Sequence, residues 1–311
     1  MNFSEEIKQA AIELGFDACG ICAADDSGQY SNYTHWISSG FQGDMSYLER
    51  NLEKRIDPRK LVEGAKSIIC VALNYFPSQF LPPEVPQIAY YTYGEDYHDV
   101  VRGKLYKLLE FIQKSFPAVD GRAFCDSAPV LERYWAAKSG IGFIGKNTLL
   151  IIPNKGSFFF LGELIINLEL DYDEPINNNC GKCDKCQQAC PTNAFVKPYV
   201  LNAKKCISYQ TIENKSSHID ESVVPFLKNN LYGCDICQKV CPWNRFSKSH
   251  TTEEFSPKKE FLTLDLERLE NINKDDFKFL FKKSAIKRIK FAGLQRNIRA
   301  VSENQKNYLH L

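Results

Sequence analysis

The chain has 311 residues, enough for two domains or for one large domain with an insert, and is 44% hydrophobic and 25% charged, ordinary values for a folded soluble protein. A formal net charge of +1 excludes a protein-wide attraction to nucleic acid, so any such surface must be a local patch. No apolar run approaches the roughly 20 residues that cross a bilayer, and the acidic, amphipathic start MNFSEEIKQAAIELGF does not read as a signal peptide; a cytoplasmic location, without membrane, is expected.

Residues 4–14 read as a helix, with Ser4 as N-cap, acids in the first turn and Gly15 just past the end. FDACGIC (16–22) and SIICVALNY (67–75) are apolar runs of strand length, as in a sheet buried on both faces. Residues 99–116 carry Val101, Leu105, Leu108, Leu109, Ile112 and Phe116 at helical spacing. RAFCD (122–126) is a short strand, 130–138 a helix, and TLLII and SFFFLGELIINLEL two further strands. This alternation predicts an α/β domain over residues 1–170. A polar linker, DYDEPINNN, opens a module spanning 171–246, and residues 247–311 are charged and helical. Lys282, Lys283, Lys287, Arg288, Lys290, Arg296 and Arg299 concentrate in that last stretch, which by itself reads first as a solvated helix face.

Eight of the twelve cysteines fall between Cys180 and Cys241. A reducing compartment favours metal over disulfides for such a group. Cys180-x2-Cys183-x2-Cys186-x3-Cys190-Pro191 is the spacing of bacterial ferredoxins, in which three thiolates hold one 4Fe–4S cube and the fourth reaches another cluster. The second run, Cys234-x2-Cys237-x3-Cys241-Pro242, has Leu231 where the template asks for a first cysteine, and Cys206 is left over. The count closes if Cys180, Cys183, Cys186 and Cys241 hold one cluster and Cys190, Cys206, Cys234 and Cys237 the other. Eight thiolates leave no open iron, which points to electron transfer. Cys19, Cys22, Cys70 and Cys125 sit among apolar residues and read as buried small hydrophobes.

Three further stretches invite chemistry. Gly140-Ile-Gly142-Phe-Ile-Gly145 is formally a G-x-G-x-x-G, but a helix precedes it and a strand follows, the reverse of a dinucleotide fingerprint. Its glycines let the backbone come close either to a bulky ligand or simply through a tight turn. Asp126 in CDSAP stands at the C-terminal end of a strand, where it could serve as a general acid or merely cap the next helix. YTYGEDYH (91–98) mixes aromatic and polar residues as a pocket wall does, or as a surface hairpin does.

Taken together, MSYLERNLEKRIDPRKLVEGAKSII, YGEDYHDV, CDSAPVLERYWAAKSGIGFIGKNTLLI, GSFFFLGEL, CGKCDKCQQACPTNAF, CISYQTIE and YGCDICQKVCPWN resemble the epoxyqueuosine reductases, cobalamin-dependent enzymes of tRNA queuosine biosynthesis. The resemblance implies an α/β domain holding base-off cobalamin, a ferredoxin-like module with two 4Fe–4S clusters, and a short helical, HEAT-like C-terminal segment with a reduced tRNA footprint. It implies reduction of epoxyqueuosine to queuosine in the anticodon loop, with an external electron donor and a monomeric chain. Asp126 matches the family's proton donor. Arg55, Leu150, Leu161, Ser208, Gly233 and Cys234 match positions around the cobalamin. The C-terminal cations and Lys215 become candidates for tRNA phosphates. Two other readings remain at this stage: a small-molecule cobalamin reductase related to the reductive dehalogenases, and a plain ferredoxin-type carrier.

Overall fold

SIICVALN carries neither charge nor proline over eight residues, and this run becomes an interior strand of the main sheet. In the computed structural model, which describes residues 2–308, the strands are β1 (Ala18–Ala23), β2 (Ser67–Asn74), β3 (Gln87–Ile88), β4 (Gly121–Phe124), β5 (Phe143–Ile144), β6 (Leu150–Ile151), β7 (Phe159–Ile166), β8 (Phe195–Lys197), β9 (Val200–Leu201) and β10 (Asn230–Tyr232). The main sheet has the order β1-β2-β7-β4, and every neighbouring pair in it is antiparallel. The expected burial on both faces is present. Ile69, Val71 and Leu73 pack with the helices Phe3–Glu13 and Tyr97–Ser115, while Ile68, Cys70 and Ala72 pack with Trp135 and Ala136 of the helix Glu132–Lys138. Each of the isoleucine, valine and leucine side chains among these contributes about 1.5–3 kcal/mol on burial.

The chain is thus mixed α/β, with a helical C-terminal part. A third core joins Leu81, Ile88 and Tyr93 to Leu231 and Tyr232 and to the apolar face of residues 261–301. The C-terminal segment therefore shares its core with the segment around β3 and with the end of the cysteine module. None of the described helices is long and apolar enough to cross a membrane.

Local details differ from the sequence reading. Asn2, not Ser4, caps the first helix, its side chain accepting from the Glu5 N–H at 3.0 Å. The Ser4 hydroxyl instead accepts from the Asp171 N–H at 2.9 Å, tying the helix to the linker. A Cβ on Gly142 would collide with the Ile151 carbonyl, and one on Gly145 with the Ile151 side chain. The close approach of protein to protein therefore already requires these two glycines.

Candidate active site and cysteine centres

β4 ends at Phe124, Cys125 is buried behind it, and Asp126 follows with φ +57°. That left-handed conformation is uncommon outside glycine and recurs at functional sites. Asp126 is not a helix cap: the cap of the next helix is Leu131. The Asp126 Oδ2 accepts the Tyr97 hydroxyl at 2.6 Å and lies 3.4 Å from His98 Nε2. His98 Nδ1 is 2.6 Å from Asp96 Oδ1, and Lys287 Nζ is 3.1 Å from Asp96 Oδ2. YTYGEDYH is thus no hairpin: Asp96 caps the Tyr97 helix and the next two side chains reach Asp126.

The Asp126 side chain is 57% open to solvent yet surrounded by protein, as at the floor of a cleft. Burial pushes its carboxyl up, but the bonds from His98 and Tyr97 outweigh this and lower it. Burial opposes charge on His98, but its bonds to Asp126 and Asp96 prevail and raise it to about 9. The proton is held on the imidazole beside the carboxylate, rather than on a carboxylic acid in an apolar cavity.

Tyr47, which sequence reasoning did not single out, lies within electrostatic reach of Glu213, Arg288, Asp126 and Arg55, so these groups ring the same cleft. Arg55 is 8% exposed, its guanidinium 5.6 Å from the Tyr33 ring centroid, and its Nε has no partner among the described residues. Leu150 is buried, and Leu161 and Ser208 are half-buried. Gly233 has φ +69°, and a Cβ there would strike Ala89 at 2.5 Å, so the chain itself already requires the glycine. Tyr91 links the cleft to the second cysteine run: its ring centroid is 6.1 Å from that of Tyr97 and 6.3 Å from that of Tyr232, next to Gly233 and Cys234.

Cys180, Cys183, Cys186 and Cys241 converge on one cavity of about 240 Å³, which Lys146 and Trp243 also line. Lys146 Nζ donates to the carbonyls of Gly181 at 2.7 Å and Cys183 at 2.9 Å, bracing the loop. Cys206 and Cys234 each lie within electrostatic reach of Cys190, and Cys237 within reach of both Cys206 and Cys234. Four of the eight thus line one cavity, and the other four lie within reach of one another, Cys237 being also within reach of Cys186. Leu231 is fully buried on β10, in the third core, where no thiolate could serve a cluster. Cys206 begins the helix Ile207–Ile212.

The basic C-terminal run divides. Lys283 pairs with Glu95 at 3.1 Å, Lys287 with Asp96, and Arg288 with Glu213 at 2.7 Å, so these three edge the cleft. Lys282, Lys290, Arg299 and Lys215 are exposed. Arg296 corrects its expectation as a phosphate contact. It is 6% exposed and donates to the carbonyls of Asn214, Ser216 and Gln210 at 2.6, 3.1 and 3.0 Å. Its guanidinium is spent on holding the end of the CISYQTIE motif and the chain just after it. Arg296→Ala should therefore lower stability by about 2–4 kcal/mol, because it strips buried carbonyls of a charged donor. Thermal denaturation reads this as a drop in Tm.

The family model described as "Epoxyqueuosine reductase QueG, DUF1730" matches residues 55–127, and that described as "4Fe-4S double cluster binding domain" matches residues 179–244. An epoxyqueuosine reductase of Cellulophaga algicola is 48% identical over 95% of this chain and 96% of its own length. That of Escherichia coli is 39% identical over 96% and 80%. The fold matches the solved epoxyqueuosine reductase of Streptococcus thermophilus with a TM-score of 0.89 at 31% identity, over 98% of this chain and 82% of that one. It matches an epoxyqueuosine reductase crystallised with an epoxyqueuosine-modified tRNA-Tyr stem loop with a TM-score of 0.88 at 33% identity, with the same coverage. With identity of this order along nearly the whole length, the chain belongs to the epoxyqueuosine reductase family.

Proposed function

We propose that the chain reduces epoxyqueuosine to queuosine within the anticodon loop of tRNA, as a monomer, using base-off cobalamin and electrons relayed by two 4Fe–4S clusters from an external donor. The observation that carries this reading is the adjoining placement of a proton-bearing cleft and eight grouped cysteines, joined through Tyr91. Cys180, Cys183, Cys186 and Cys241 hold one cluster; Cys190, Cys206, Cys234 and Cys237 hold the other. A plain electron carrier leaves the Asp126 cleft without a task, and a small-molecule reductase does not account for the cationic edge beside it.

The residues fit a bulky cofactor in the cleft, since the buried Arg55 Nε is a donor awaiting an acceptor. Arg55, Leu150, Leu161, Ser208, Gly233 and Cys234 surround the cobalamin in this reading, which takes residues 1–170 as its domain and 171–246 as the cluster module. When bound, cobalamin supplies strongly reducing electrons at the epoxide. Loss of the epoxide oxygen as water takes two electrons and two protons. His98 Nε2 passes one proton to Asp126 Oδ2, which delivers it to the leaving oxygen, and the second proton comes from solvent. Asp96 and Lys287 hold the imidazole in place. Filling the cleft expels water and raises the proton affinity of the Asp126 carboxylate.

The test is anaerobic reconstitution with iron, sulfide and cobalamin, followed by mass spectrometry of an epoxyqueuosine stem-loop under reductant. Loss of one oxygen is expected; no cobalamin spectrum and no product would sink the reading. The tRNA grip has its own test. Lys282→Ala combined with Lys290→Ala should weaken stem-loop binding about tenfold and flatten its salt dependence by about one counterion per lost contact. Titrations at several ionic strengths measure both.

A further inference from the structure

Behind Asp126 stand two carboxyl groups that the reaction as described does not use. Glu132 opens the helix after the Asp126 loop, and its Oε1 accepts the backbone N–H of Asp126. Glu163 sits in β7, opposite Cys70 of β2 and Phe124 of β4, on the sheet face that the Glu132–Lys138 helix covers. It is 0% exposed, and its oxygens find no N–H or hydroxyl donor among the described residues; its neighbour within side-chain hydrogen-bonding reach is the Glu132 carboxyl. A bare carboxylate is not sustained in such a place without a proton.

The groups facing Glu132 are Asp126, His98, Arg133 and Glu163; those facing Glu163 are Glu132, Asp126, Cys22, Cys70 and Cys125. Of the two cations, His98 belongs to Asp126, and Arg133 donates to the Thr148 carbonyl at 2.5 Å. No ion pair therefore neutralises either glutamate among the described residues.

We propose that Glu132 and Glu163 form a proton-holding carboxyl pair that positions the Asp126 loop: Glu132 latches the Asp126 backbone, and Glu163, set in the sheet, holds Glu132. The inference rests on the reading of Asp126 as proton donor. Burial and the Asp126 charge push Glu132 up to about 8, and burial with the Glu132 charge pushes Glu163 well above the usual range. The Asp126 repulsion outranks the backbone hydrogen bond that favours ionised Glu132. The pair is therefore neutral at pH 7. As pH rises through about 8, Glu132 ionises beside Asp126 and the latch is set against its own load.

The experiment compares kcat–pH profiles of the reconstituted wild type, Glu132→Ala and Glu132→Gln on an epoxyqueuosine stem-loop. It adds infrared difference spectra of wild type, Glu132→Gln and Glu163→Gln taken across pH 6–10. Glu132→Ala should lower kcat about 10²-fold with little change in KM, the cost of a misplaced catalytic group. Glu132→Gln keeps an acceptor and cannot ionise; it should recover most of that loss near pH 7 and move the alkaline fall from about 8 towards the His98 value of about 9. The wild-type infrared spectrum should show a protonated carboxyl that titrates near 8 and that Glu132→Gln removes. Unaltered kcat in Glu132→Ala, a wild-type alkaline fall in Glu132→Gln, or no protonated carboxyl at pH 7 would overturn the pair. The infrared measurement needs no turnover, so it stands even if the wild type proves inactive on epoxyqueuosine or Glu163→Gln fails to fold.

Discussion

Asp126→Asn is expected to lower turnover on an epoxyqueuosine stem-loop by about 10²–10⁴-fold, the usual contribution of a positioned acid. The substitution is close to isosteric, and asparagine tolerates the φ of +57° well. The backbone N–H that Glu132 holds is untouched. Cofactor and stem-loop binding should therefore survive while kcat collapses, because an amide cannot relay a proton from His98. The His98 value gives a second readout. Its carboxylate partners raise it to about 9, so removing the Asp126 charge should bring it down towards 6.5 in an NMR titration. Turnover at the wild-type rate would refute Asp126 as donor.

Cys206→Ala should be equally severe by a different route. If Cys206 is the fourth ligand of the second cluster, reconstituted iron should fall from about eight to about four per chain, with the visible absorption falling in step and turnover lost. Cys19→Ala is the matched control: this thiol is pushed up to about 12, chiefly by burial, and packs half-buried against the apolar core far from the cysteine module in sequence, so iron content should not change. Full iron content in Cys206→Ala would break the proposed division of the eight cysteines.

The cysteine sets were legible because cluster ligation constrains spacing over short stretches. Leu231 and Cys206 could be matched by count, but only the fold shows why: β10 draws Leu231 into an apolar core. The run SIICVALN announced burial on both faces, yet an apolar run says nothing about strand direction, and the sheet is antiparallel. His98 was flagged only within YTYGEDYH and given no role, because its contact with Asp126 joins residues far apart in sequence. Glu163 left a usable signal, a lone acid inside the apolar run SFFFLGELII. Arg296 left none. Arg296, Asn297 and Ile298 are all buried in succession because that part of the helix Lys290–Tyr308 is enclosed on several sides, so one-faced periodicity fails there.

The order of strands in the main sheet bears on how the protein is made. β2 pairs with β1 as soon as both have been synthesised, but its other edge belongs to β7, which leaves the ribosome about ninety residues later. At about 5–20 residues per second, the uncharged edge of SIICVALN waits about 5–20 seconds for its partner. An apolar, β-prone edge of this kind is a template for aggregation. Yield in cells should thus depend on chaperone cover during synthesis, and slower translation between residues 75 and 158 should send more of the chain into inclusion bodies.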